Sequence, residues 1–79
     1  PTNFEISISP NPAHDHISLQ SDYTNTKVEI YTILGNLLYT KTLEGSNSII
    51  PIATFQPGQY FVRCYNGTNW SNFTKLIIE

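Results

Sequence analysis

The stretch Phe55-Gln56-Pro57-Gly58-Gln59-Tyr60-Phe61-Val62-Arg63-Cys64 constrains the chain most. It reads as a turn that runs straight into a β-strand. Pro57 presets φ at the first central position of a turn, and Gly58 can take the φ > 0 position that a type II turn needs next. From Tyr60 the residues alternate, with Tyr60, Val62 and Cys64 on one face and Phe61, Arg63 and Tyr65 on the other. Period two over this length means a strand with one buried face.

Gly-x-Tyr at the start of a late strand also fits the tyrosine corner of Ig-like sandwiches, in which the phenol closes back onto backbone a few residues upstream. Tyr60 would then pin the turn while its ring fills core. A core tyrosine with a solvated hydroxyl is the plainer alternative, and both give the same fold.

Seventy-nine residues make one thin core, with about 60% of the unfolded surface buried, and leave no room for a second. Ile, Thr, Asn and Ser are abundant and Met is absent, which favours an all-β fold. Charged residues are only 13% of the chain and the net charge is -2, so four cations cannot form a stripe that tracks phosphates. Nucleic acid is therefore excluded as an expected partner. No apolar run approaches the roughly 18 residues of a membrane span. No charged-then-apolar leader opens the sequence, which starts at Pro1; the expectation is a fragment of a larger protein. The one cysteine, Cys64, lies in an inward phase and reads as a buried, inert thiol.

Taken in order, Phe4–Ile8 alternates and reads as a first strand with Phe4, Ile6 and Ile8 inward. Pro10-Asn11-Pro12 stops it, because two prolines remove two donors and fix two φ angles. Such a kink lets the chain leave one sheet and join the other. Ile17 and Leu19 mark a second strand near His16–Gln20, and residues 21–25 are a polar connection. Lys27–Ile33 and Leu37–Thr42 form a hairpin about a two-residue Gly35-Asn36 loop of type II′. That register opposes Leu34 to Leu37, Thr32 to Tyr39, Ile30 to Lys41 and Val28 to Leu43, with a bulge as the remedy for Ile30 opposite Lys41. Glu44–Asn47 is a turn. Ser48–Ile52 is a short strand that Pro51 confines to an edge, and Phe55 plugs the core ahead of Pro57-Gly58.

The last hairpin carries a conflict. Asn66-Gly67 is the strongest type I′ signal, but a tight turn there would bury Asn69, Ser71 and Lys75. A longer loop through Asn66–Asn72, or a bulge, instead turns Thr74, Leu76 and Ile78 inward, and the apolar pattern favours that. Trp70 then lies in or beside the loop. The total is about seven short strands with turn signals roughly every 8–12 residues, the pattern of an Ig-like antiparallel β-sandwich.

No catalytic constellation is visible. There is no Gly-x-Ser-x-Gly elbow, no phosphate loop and no placeable pair of carboxylates. His14 and His16 could share a strand face, but zinc asks for at least three protein ligands, so they read as residues that solvate a turn and no metal or cofactor is expected. Tyr23, Tyr31, Tyr39, Tyr65 and Trp70 could build a sugar-stacking platform, although scattered aromatics on a small sandwich are more often packing. Asn66-Gly67-Thr68, Asn69-Trp70-Ser71 and Asn72-Phe73-Thr74 match the N-glycosylation pattern, which matters only in a eukaryotic secretory setting.

Four segments in order nevertheless resemble one family. They are Ile6-Ser7-Ile8-Ser9-Pro10-Asn11-Pro12-Ala13, the hairpin from Val28 to Leu38 about Gly35, the stretch from Phe55 to Arg63 with Pro57, Gly58 and Tyr60, and Thr74-Lys75-Leu76-Ile77-Ile78. Together they resemble the type A C-terminal sorting domain of the type IX (Por) secretion system of Gram-negative bacteria. Phe55 stands where that family usually has leucine.

The resemblance implies a non-catalytic address label on a larger secreted protein. The cargo would cross the periplasm, be recognised by the outer-membrane translocon, and be released by a sortase-like peptidase that anchors it at the cell surface. The family motif falls on Pro10, Asn11, Pro12, Gly35, Pro57, Gly58, Tyr60 and Lys75. The expected reading surface is the face near the last hairpin, with Lys75 as a charged contact, Gly35 and Gly58 holding turns, and an edge at the terminal strand for β-augmentation. The competing reading is a fibronectin-III-like or carbohydrate-binding module of a secreted enzyme. The oligomeric state is open.

Overall fold

In a computed structural model, which describes residues 4–79, seven strands form two antiparallel sheets packed face to face. The strands are β1 Ile6–Ser9, β2 His16–Ser21, β3 Thr26–Thr32, β4 Leu37–Leu43, β5 Asn47–Pro51, β6 Gly58–Tyr65 and β7 Thr74–Ile78. One sheet has the order β1-β2-β5 and the other β4-β3-β6-β7. This is the expected all-β, Ig-like sandwich, with β4 paired to β3 rather than to β5.

Alternation decides which side chains enter the core. Ile17, Leu19 and Ile50 of the first sheet face Val28, Ile30, Val62, Cys64 and Leu76 of the second, all essentially solvent-free. Phe4 and Ile6 are buried and Ile8 packs against the core as expected, although Phe4 precedes β1 and bridges Ser71 instead. On β6, Tyr60, Val62 and Cys64 are buried while Phe61, Arg63 and Tyr65 lie half-exposed on the other face.

The tyrosine corner is present. Tyr60 Oη donates to the carbonyl of Gln56, and the ring packs edge-on to Phe55 at 5.6 Å. Phe55 in turn meets Tyr39 at 6.1 Å and packs against the core. Gly58 is not the third residue of a type II turn. Its φ is +152°, against about +80° for that position, and it is the first residue of β6, opposite Ile78. Its role is extended backbone at a positive φ, which L side chains rarely adopt.

The β3–β4 hairpin differs from the expected register. Thr32 N–H donates to Asn36 O at 2.9 Å and Gly35 N–H to Thr32 O at 3.0 Å, so Ile33-Leu34-Gly35 is a three-residue loop with Gly35 at φ +92°. This is a turn closed by a glycine bulge rather than a type II′ pair. The strands slide by two residues, pairing Val28 with Lys41 and Ile30 with Tyr39, and the ladder shifts again at Ile30/Tyr31. An even slide keeps every side chain on its face, so the apolar pattern cannot detect it. Beyond the shift at Ile30/Tyr31, Leu37 falls opposite Tyr31 and is 49% exposed, and Leu34 in the loop is 84% exposed.

The last hairpin keeps both of its signals. Asn66 N–H donates to Asn69 O and Tyr65 bridges Trp70, so a tight turn does form, with Gly67 at φ +99°. Ser71 then exchanges bonds with Cys64, donating N–H to Cys64 O at 2.7 Å and accepting Cys64 N–H on Oγ at 2.8 Å. One extra residue follows before Val62 pairs with Thr74. That bulge inverts the phase and turns Leu76 and Ile78 inward.

Tyr60→Phe removes the corner bond while keeping the ring. The expected loss is about 1 kcal/mol, read as a lower urea midpoint with an unchanged m-value. An unchanged midpoint would mean that the corner is incidental.

Candidate recognition surface

Pro10-Asn11-Pro12 carries the chain across to the other sheet. Asn11 does so with its side chain: Nδ2 donates to Lys75 O at 2.8 Å and Oδ1 accepts Ile77 N–H at 3.0 Å. Ala13 continues with its backbone, donating to Ile77 O at 2.8 Å and accepting Glu79 N–H at 2.9 Å. Segment 11–13 thus occupies the outer edge of β7, one position through an amide side chain that imitates a peptide group. The terminal strand does not offer the free edge that its position in the sequence led us to expect.

The solvent face of the four-stranded sheet gathers most of the remaining chemistry. Lys27, Glu29 and Tyr31 of β3 stand opposite Tyr65, Arg63 and Phe61 of β6, and Lys75 of β7 stands opposite Phe61. Glu29 is buried at 6% exposure, which requires compensation. Arg63 Nε donates to its carboxylate at 3.2 Å, Tyr31 Oη also donates to it, and Lys27 lies 3.9 Å away. The Arg63 guanidinium lies over the Trp70 ring at 3.8 Å and over Tyr31 and Phe73 at 5.3 and 5.0 Å. Stacking of this kind suits a planar, weakly hydrated cation.

Beside this cluster Tyr31, Ile33, Gly35, Phe61, Arg63 and Phe73 line a shallow, apolar depression of about 410 Å³. Ile33 and Phe73 are 60% and 55% exposed. Gly35 and Lys75 therefore flank one surface, while Pro57, Gly58 and Tyr60 act behind it by starting β6. Trp70 is not an open platform, because Arg63 covers it and Tyr65 leans on it at 4.6 Å. The cluster of Glu29, Tyr31, Arg63 and Trp70 escaped sequence reasoning. Its one signal was an arginine among aromatics on the outward phase of β6.

The titratable groups away from this surface are held apart or buried. Cys64 is fully buried, and burial, the main cause, pushes its thiol up to about 11, so it stays protonated at neutral pH. His14 and His16 diverge. His14 approaches Glu79 at 3.7 Å, and His16 bonds Asp15 at 2.8 Å, which holds that carboxyl below its ordinary value. Among the described residues no three His, Cys, Asp or Glu lie close enough together to hold a metal. Asn66 Oδ1 accepts the N–H groups of Thr68 and Asn69, so its side chain serves the turn. Among the described residues no helix is long and apolar enough to cross a membrane.

The chain belongs to the secretion system C-terminal sorting domain family, whose model matches residues 7–79. It is a type IX sorting signal, which implies a linked cargo, the type IX secretion machinery, and delivery to the cell surface or beyond. The chain is also 28% identical over 75 residues to a funoran endo-beta-hydrolase from Wenyingzhuangia aestuarii. The match takes in 91% of this chain but only 10% of that relative, so the chain spans about a tenth of the protein it matches.

Two of the three outward cations, Arg63 and Lys75, should separate on mutation. Arg63→Ala strands the buried Glu29 carboxylate and is expected to cost about 3 kcal/mol. Lys75→Ala removes an exposed charge with no ion-pair partner among the described residues and should stay within about 0.5 kcal/mol of the parent. Urea unfolding of both variants checks this; equal losses would contradict the assignment of Arg63 as a structural cation.

Proposed function

We propose that residues 1–79 form one non-catalytic domain, a piece of a larger secreted protein, and that the export apparatus reads its outer face. The cargo crosses the inner membrane by its own route and passes through the periplasm. The outer-membrane translocon of the type IX system engages the folded domain, and a sortase-like peptidase removes it as the cargo is anchored at the surface. The kinship with a funoran endo-beta-hydrolase favours an enzyme as cargo.

The observation that carries this reading is the outer face of the four-stranded sheet. Three of the four cations, Lys27, Arg63 and Lys75, project there around an apolar depression, although the chain as a whole is acidic. Asn11, between Pro10 and Pro12, holds β7 and hence Lys75 in place. Gly35 shapes the loop that borders the depression, and Pro57, Gly58 and Tyr60 fix the start of β6. Each family-motif residue thereby supports the display, and Lys75 is the one that touches the reader.

The test is an export assay in a host with a type IX system. A periplasmic reporter fused ahead of this chain should reach the surface or the medium. Lys75→Glu should lower export about tenfold, equivalent to about 1.4 kcal/mol of lost recognition, without changing the urea midpoint. A wild-type fusion that folds but stays in the periplasm would contradict the reading.

A further inference from the structure

Two sheets have four edges, and the backbone phase shows which groups point out from each. Because Cys64 turns its N–H and C=O toward Ser71, alternation directs the backbone of Lys27, Glu29 and Tyr31 at β6 and that of Val28 and Ile30 at β4. Tyr39, Lys41 and Leu43 answer on β4, so Thr40 and Thr42 present their N–H and C=O to solvent.

The other edges are blunted. β7 is closed by Asn11 and Ala13. β1 has four residues, ends at Pro10, and gives up the Phe4 carbonyl to Asn72 N–H at 3.2 Å. On β5 the bonds Ser21 N–H to Ser46 O and Ile52 N–H to Asp15 O set the phase, so Asn47, Ile49 and Pro51 point outward and Pro51 has no donor. β4 alone is a seven-residue edge with no proline and no covering segment among the described residues.

β4 also overhangs. The three-stranded sheet sets β1 beside β7, so β4 lies at the far margin, where Ser48 and Ile49 of β5 approach it along a shallow groove that Lys41, Thr42 and Leu43 line from the other side. Lys41 therefore sits at an inward position, opposite Val28, and is still exposed, with no ion-pair partner among the described residues. It stands between Tyr39, half-exposed, and Leu43, buried, and Leu37 and Leu38 are 49% and 52% exposed at the turn end. An inward lysine on an edge strand discourages indiscriminate and self-pairing. It favours a strand that brings a carboxylate.

From this we infer that β4 is a docking edge for an extended segment of a partner protein, which adds as a further strand of the sheet. The segment reads apolar-x-acidic-x-apolar, its apolar residues meeting Tyr39 and Leu43 and its carboxylate meeting Lys41. Main-chain bonds to Thr40 and Thr42 supply the pairing, and the lysine supplies selection. This deepens the sorting reading and rests on it: the export machinery supplies the strand.

The experiment uses the same reporter fusion. Thr40→Pro with Thr42→Pro removes two outward donors and leaves the bonds from β4 to β3 intact. Export should fall about tenfold, two lost hydrogen bonds of ordinary size. Ile49→Pro removes an outward donor of β5 and should export like the parent. Export of the double variant at the parental rate would overturn the inference, and so would an equal fall in Ile49→Pro. Should the double variant fail to fold, the charge decides: Lys41→Glu should fall and Lys41→Arg should hold, and parental export of Lys41→Glu would refute a carboxylate partner. A concentration-dependent dimer of the purified chain, abolished by the prolines, would make the occupant a second copy and overturn the partner. A parental fusion that is never exported would sink the sorting reading itself, a result distinct from all of these.

Discussion

Every backbone N–H and C=O in a sheet needs a partner, and a domain this small has proportionately many at its margins. Much of the structure follows from how those margins are closed. The four bonds from Asn11 and Ala13 to β7 are the central case. They satisfy the outer edge of the terminal strand, tie the N-terminal kink to the far end of the chain, and hold Leu76 and Ile78 against the core. A side-chain amide suits this task because it presents an N–H donor beside a C=O acceptor, as a peptide group does. Prolines on either side suit it too, since neither has an N–H that would need a partner in the crossing.

What could be read from the sequence follows from what alternation encodes. The inward sets Tyr60-Val62-Cys64 and Leu76-Ile78, the edge placement of Pro51 and the closure of Tyr60 onto upstream backbone were all legible, because each is a local pattern. At Asn66-Gly67 the turn signal and the apolar phase disagreed, and the bulge after Ser71 honours both. The slide of β4 against β3 was not legible. A two-residue shift leaves both faces unchanged, and it was decided by Gly35 completing a three-residue loop. Gly58 was placed in a turn because Pro-Gly has that habit, whereas pairing with Ile78 draws it into the strand.

The surface was less legible than the fold. Lys75 is exposed on β7 and Gly35 closes the β3–β4 loop, but the burial of Glu29 depends on Arg63, 34 residues away, which stacks on rings from β3 and from the β6–β7 connection. The Asn11 bonds span 64 and 66 residues and leave no local trace. Both arrangements point the same way functionally. The strongest polar interactions hold the outer face and the terminal strand in shape.

The account turns on which edges are closed, and amide hydrogen exchange reports that directly. In the folded chain the amides of Ala13 and Ile77 should be strongly protected, since one donates to Ile77 O and the other to Asn11 Oδ1. The amides of Thr40 and Thr42 should exchange fast while those of Tyr39 and Lys41, bonded to β3, exchange slowly. Fast exchange at Ile77, or protection at Thr40 and Thr42 in the isolated chain, would contradict the assignment of a latched terminal strand and an open β4.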